Sequence, residues 1–256
     1  MMQTIIKSRL QQIEEEKSVR ILYACETGSR AWGFPSPDSD YDVRCIYAEK
    51  LDWHLSLRAR KDTFTRPIND DLDITGWEIN KVLHLLWKSN APLLERLQSP
   101  IIYELKSKEI LDGLWELAGD CFSPIATMHH YHRMAKKYYD ICYTSGNEVK
   151  LKSYFYAIRA VLCASWVREK MAIPQIEMNL MFELLQPETR DKVEELILLK
   201  STKNEDYRHE REPVLDEYLK AQIGLNEAIA NHLPGAKKRD IDQLDDFYRR
   251  VITEKL

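Results

Sequence analysis

The chain has 256 residues, of which 44% are hydrophobic and 30% charged. That balance fits a soluble globular protein of one large domain or two ordinary ones. A formal net charge of −4 argues against nucleic-acid binding through a global basic field and leaves only a local basic groove, while 8 glycines and 10 prolines are too few for long disordered stretches.

Five cysteines (Cys25, Cys45, Cys121, Cys142, Cys163) show neither a CxxC pair nor a Cys/His zinc spacing. Most have apolar neighbours, so they read as free, buried thiols in a reducing, cytoplasmic setting. The first residues, MMQTIIKSRLQQIEEEKS, lack the apolar core of a signal peptide. No stretch is apolar for long enough to span a bilayer, so no membrane partner is expected.

In chain order, Ile5, Ile6, Leu10 and Ile13 recur at helical spacing over residues 2–17. VRILYACET (19–27) is a compact apolar run and predicts a buried strand. GSRAWG begins a turn with one helical turn, and FPSPDSD is a loop set by two prolines. YDVRCIYA (41–48) is a second strand. Residues 49–62 read as loop with Trp53 and Leu57 tucked inward, DTFTRP (62–67) as a strand, and DLDITG (71–76) as a strand ended by Gly76. Helices follow at 77–89 and after Pro92, a strand at 101–105, and a helix at 107–120 with Ser107 as its cap. Beyond residue 120 the strand signal fades, and helices are expected at 123–145, 147–171, 177–186, 187–201 and 211–231. STKNEDYRHEREP (201–213) is a highly charged, mobile or substrate-facing loop.

The densest chemical signal is DSDYD. Alternation along a strand puts Asp40 and Asp42 on one face. Adjacent carboxylates repel unless a cation or a shared proton relieves them. Mg²⁺ is the usual relief, because it takes hard oxygen ligands and is held by one or two carboxylates plus substrate phosphates. Asp73, polar between Leu72 and Ile74, is the best third carboxylate if its strand neighbours 41–48. Upstream, Gly28-Ser29 follows a strand at the start of a turn, where glycine admits a close ligand and exposed N–H groups bind phosphate oxygens. Asp38, after Pro37, reads as a turn residue.

Gly28-Ser29, Asp40-Tyr41-Asp42-Val43 and Leu72-Asp73-Ile74 resemble the signature of the DNA polymerase β nucleotidyltransferase superfamily. The wider strings GSRAWGFPSPDSDYDVR, DLDITGWEINKVLHLLWKSNAPLLERLQSP and KSYFYAIRAVLCASW are similar to the YcgL-type, or RNA-ligase-associated, nucleotidyltransferases. The resemblance covers most of residues 20–170, with no departure in the motif residues. It implies an α+β fold, with a nucleotidyltransferase-type mixed sheet flanked by helices (1–120) and a helical domain (121–256) completing the substrate cleft. It also implies a nucleoside monophosphate moved from an NTP, ATP among them, to an acceptor hydroxyl, with pyrophosphate released. Asp40 and Asp42 would ligate two Mg²⁺ ions, with Mn²⁺ the alternative. Asp73 would share one ion and help deprotonate the acceptor, and Gly28 and Ser29 would hold the triphosphate.

The remaining candidates each carry a bland alternative. Arg30 reaches a phosphate or pairs with the carboxylates. Arg44, on the same strand face as Asp42, contacts substrate or balances charge. Lys152, Tyr156 and Arg159 recur on one helix face. The aromatics could be core and the bases a solvated rim, but the resemblance favours substrate binding for Lys152 and Arg159. His129, His130 and His132 suggest surface or core histidines, or an acceptor-binding role, before a metal site. The acceptor stays open among an RNA end, a protein side chain and a small-molecule hydroxyl. The rival class is a non-catalytic nucleotide- or partner-binding module, an antitoxin or sensor.

Overall fold

In a computed structural model, residues 2–66, 71–144, 146–236 and 240–254 are described; Pro67, the end of the expected 62–67 strand, lies outside them. The chain forms two compact units, each discontinuous in sequence. One comprises Met1–Gly28, Asp40–Cys121 and Lys238–Leu256, and the other Ser29–Ser39 and Phe122–Lys237.

The first unit is built on a five-stranded mixed sheet in the order β3-β4-β2-β1-β5. Its strands are β1 (Arg20–Glu26), β2 (Tyr41–Ala48), β3 (Thr63–Thr65), β4 (Leu72–Glu78) and β5 (Ile102–Leu105). β1 pairs antiparallel with β2 and β5, and β3 antiparallel with β4, while β2 and β4 run parallel. Six of the seven β1 residues are buried, which is why that run reads as nearly continuous apolar sequence. Helix α1 (Met2–Lys17) buries Ile6, Leu10 and Ile13 and leaves Ile5 exposed, so the apolar stripe is narrower than its spacing suggests.

β4 does not end at Gly76. It runs on to Glu78, and Gly76 pairs with Cys45 on one side and Phe64 on the other. A Cβ on Gly76 would lie 2.3 Å from the Phe64 ring, so this glycine clears space for an aromatic side chain lying over the strand. Residues 49–62 contain a short helix, α3 (Leu51–His54). Leu57 is fully exposed, correcting its expected inward position, and Trp53 is half-buried. Helices α4 (Ile79–Trp87), α5 (Ala91–Arg96) and α6 (Lys108–Cys121) follow, with Ser107 Oγ accepting from Glu109 N at 3.1 Å as a cap.

Glu78 closes β4 and caps α4, accepting from Asn80 N at 2.6 Å. It is fully buried, and burial pushes its carboxyl up to about 7. Its Oε1 lies 3.9 Å from His54 Nε2. A folded-state value above the unfolded 4.5 means the native state binds more protons between pH 4.5 and 7, so stability falls as pH rises through that window. Glu78→Gln is expected to melt higher than wild type at pH 8, by a margin on the order of 3 kcal/mol that shrinks toward pH 5. Thermal melts at the two pH values check this, and a pH-independent margin would contradict it.

The second unit is mostly helical. α2 (Gly28–Trp32) leads into it, and α7 (Pro124–Thr144), α8 (Leu151–Lys170), α9 (Pro187–Lys200) and α10 (Pro213–Ala230) make its body. α8 is buried along most of its length, as expected of a helix with apolar residues all round. Within the helix expected at 177–186, residues 178–184 form a 3-10 helix. The strand signal does not vanish after residue 120, because β6 (Glu148–Lys150) and β7 (Arg208–Glu210) pair antiparallel. At three residues each, and mostly charged, they are too short for an alternating pattern to show. A last helix, α11 (Ile241–Ile252), belongs to the first unit and buries Leu244, Phe247 and Val251. It has no counterpart in the sequence reading, although Leu244, Phe247 and Val251 recur at helical spacing behind Asp240, which caps the helix. Its Tyr248 hydroxyl hydrogen bonds His54 Nδ1 at 2.6 Å. All five cysteines are free and buried, and burial pushes the Cys25 thiol up to about 12. Among the described residues no helix is long and apolar enough to cross a membrane.

Candidate active site

In the first unit the site is built from the end of β1 and the starts of β2 and β4. The parallel register pairs Asp42 directly with Asp73, so both side chains fall on one face of adjacent strands. Their carboxylates meet a common cation. Arg44 Nη2 donates to Asp42 Oδ1 at 2.7 Å and to Asp73 Oδ2 at 2.8 Å, while Nη1 donates to the carbonyls of Val43 and Asp73, both at 3.1 Å. Two like charges roughly 4 Å apart repel by about 4 kcal/mol at an effective dielectric of about 20. Arg44 relieves part of that repulsion by bridging the two carboxylates.

The backbone around Asp42 is clamped. Its amide donates to Glu26 Oε1 at 2.6 Å, and its carbonyl accepts from Thr27 N at 2.9 Å and Thr27 Oγ1 at 3.1 Å. Glu26 is fully buried, takes the Tyr103 hydroxyl on Oε2 at 2.5 Å, and receives Ser99 Oγ on its carbonyl at 2.7 Å. Sequence reasoning passed over Glu26. Its signal was a carboxylate at the end of an apolar strand, which must find hydrogen-bond partners when buried. Gly28 has φ of +66°, and a Cβ there would lie 2.3 Å from Asp42 Oδ2. Glycine is required on both counts.

Asp40 is exposed, immediately ahead of β2. Among the described residues no group of three or more His, Cys, Asp or Glu side chains is placed to hold a metal ion. The structure thus brings Asp42 and Asp73 together but not a ready three-carboxylate cluster with Asp40, and it gathers no metal group from His129, His130 and His132 on α7. The Asp42–Asp73 pair nevertheless fits a divalent ion. Both donors are hard oxygens, and both reach one positive nitrogen.

In the second unit, Ser29 Oγ donates to Ser39 Oγ at 3.1 Å, and Arg30 Nη2 donates to the Ser39 carbonyl at 2.7 Å. Arg30 thereby pins the 34–39 loop. Lys152 forms an ion pair with Glu205. Arg159 is 2% exposed, lies 4.3 Å above the Trp32 ring and donates to the Ile176 carbonyl at 3.2 Å. A cation on an aromatic face is a packing device, and as placed this guanidinium supports α2 from within the core. Tyr156 touches Trp32 at 5.1 Å and Tyr138 at 4.8 Å between ring centroids. Asp38 accepts the backbone amide of Glu205 at 3.0 and 3.2 Å, a loop-holding role in keeping with a turn residue.

The uncharacterized protein YcgL of Bacillus subtilis (strain 168) is 39% identical over 256 residues, covering 99% of this chain and 97% of that one. A solved nucleotidyltransferase-like protein from Exiguobacterium sibiricum 255-15 aligns over 97% of this chain and 80% of its own. Its 13% identity and TM-score of 0.34 are too low to bear on the site. The family described as "RlaP: RNA repair pathway DNA polymerase beta family" matches residues 2–250. Matched over nearly its whole length, with Gly28-Ser29, Asp40, Asp42 and Asp73 within the matched span, the chain belongs to the RNA repair pathway DNA polymerase beta family.

Proposed function

We propose that the protein is a Mg²⁺-dependent nucleotidyltransferase that moves a nucleoside monophosphate from an NTP to an acceptor hydroxyl. The observation that carries this reading is the in-register pair Asp42 and Asp73, held around a single cation. The words RNA repair in the family's description support an RNA end as the acceptor.

Asp42 and Asp73, joined by Asp40, would hold the divalent ions, with Mn²⁺ the alternative to Mg²⁺. When bound, such ions neutralise the polyphosphate and lower the pKa of a coordinated hydroxyl. Asp73 takes the proton of the acceptor hydroxyl, whose oxygen attacks the α-phosphorus. The bond from that phosphorus to the bridging oxygen breaks, and pyrophosphate leaves with its electron pair. Gly28 brings backbone close to the carboxylates, while Ser29, Arg30 and Lys152 offer hydrogen bonds and positive charge to phosphate oxygens. Arg159 acts through Trp32, a positioning role.

The test is calorimetric titration of each NTP, with and without Mg²⁺, into wild type and an Asp40→Ala/Asp42→Ala double variant. Metal-dependent binding lost in the double variant is expected. Binding indifferent to both would end the reading. Incubation with labelled NTP and RNA pools then tests the acceptor, and an unlabelled RNA 3′ end in every pool would remove RNA from the proposal.

One observation favours a second reading, a nucleotide- or partner-binding module such as an antitoxin or sensor. Arg44 already bridges the two carboxylates and offsets one of their two negative charges, holding the pair together through a side chain of the protein itself. Asp73→Asn separates the two readings, because only an enzyme has transfer to lose.

A further inference from the structure

The loop between α9 and β7, which contains the charged run beginning at Ser201, inserts one acidic side chain into a basic and hydroxylated setting. Glu205 Oε1 accepts from Ser39 Oγ at 3.0 Å, and its other oxygen takes the Lys152 ammonium. Ser39 Oγ in turn accepts from Ser29 Oγ at 3.1 Å and from Ser36 N at 2.9 Å. Beneath them Lys200, 2% exposed, donates to Ser36 Oγ at 2.7 Å. Burial lowers the Lys200 pKa, the charge of Glu205 acts in the opposite direction, Lys152 lowers it further and Asp38 raises it. A lysine and a serine hydroxyl that hold a carboxylate, over a buried ammonium, are donors of the kind that also bind phosphate oxygens.

We propose that Ser39 and Lys152, with Ser29 and Lys200 behind them, form an anion site for a phosphate group of the nucleotide, and that Glu205 is its internal occupant until phosphate displaces it. This rests on the nucleotidyltransferase reading for the identity of the ligand. Displacement is feasible on three grounds. The Lys152 and Glu205 side chains are 39% and 22% exposed, so solvent reaches the pair. Ion pairs this open are weakly held. A phosphate group also brings more charge and more acceptor oxygens than one carboxylate. Asp38, which grips the Glu205 amide, then orients the loop. Release of the Glu205 side chain frees Ser39 Oγ to donate to the incoming oxygen.

Calorimetry with inorganic tripolyphosphate tests this on the full chain. Glu205→Gln and Glu205→Ala are each expected to tighten binding by about fivefold, the factor set by the upper range for an exposed ion pair. Adding Lys152→Met is expected to abolish that gain. Binding unchanged or weakened in both Glu205 variants, or a gain that survives Lys152→Met, would overturn the site. Wild type gives a measurement free of folding defects. Saturating tripolyphosphate should increase tryptic cleavage after Lys203, in the released loop, and unchanged cleavage would also count against displacement. A tripolyphosphate gain with no nucleotide transfer keeps the anion site and ends the enzymatic reading. Transfer without any gain ends the anion site alone.

Discussion

Asp73→Asn is expected to abolish nucleotidyl transfer while leaving NTP binding and the fold largely intact. The substitution changes one oxygen to an amide nitrogen at nearly constant volume. Asp73 sits opposite Asp42 in the parallel register, with Oδ2 2.8 Å from Arg44 Nη2. Arg44 would retain its bonds to Asp42 Oδ1 at 2.7 Å and to the Asp73 carbonyl at 3.1 Å, so the strands stay joined. What disappears is the negative charge that accepts the hydroxyl proton, and loss of such a group typically costs a factor of roughly 10² to 10⁴. Labelled-NTP transfer measured beside calorimetry checks both halves. Full activity in the variant would remove Asp73 from the reaction. Wild type that binds NTP but transfers nothing to any acceptor would favour the binding module.

That prediction could be framed from sequence because strand geometry is strongly constrained. Alternation put Asp42 on a face, and the apolar flanks of Asp73 marked a second strand, so only the adjacency of β2 and β4 was missing. The structure supplies it as a direct pairing. The fold class was legible for the same reason, since buried strands and amphipathic helices write their periods into the chain. Contacts between distant positions were not legible. Glu26 looks like the last residue of an apolar run until its bonds to Asp42 N and Tyr103 are seen. Nothing near Arg44 in the chain says that it bridges two strands. Lys152 and Glu205, 53 residues apart, show no mutual signal. Leu57 went wrong because an apolar residue in a loop carries no periodicity, and a lone exposed leucine is ordinary on a protein surface.

Gly28→Ala is expected to reduce transfer by about 100-fold through Asp42 alone, the scale of a 1 Å displacement of a reacting group. The new methyl would lie 2.3 Å from Asp42 Oδ2 and 3.3 Å from its Cγ. The first separation is far inside contact distance, so the carboxylate must move. The φ of +66° adds strain on the order of 1 kcal/mol for any residue with a Cβ. The backbone has little room to yield, because Thr27 N holds the Asp42 carbonyl at 2.9 Å and Glu26 holds its amide at 2.6 Å. The displacement therefore falls on the side chain and on its bond to Arg44. A double-mutant cycle gives the decisive readout. If Gly28 acts by seating Asp42, then Gly28→Ala should cost little further activity in an Asp42→Ala background, so the two losses will not add. Additive losses would mean that Gly28 serves the nucleotide directly, through its own backbone, and that the close approach to Asp42 is incidental to catalysis.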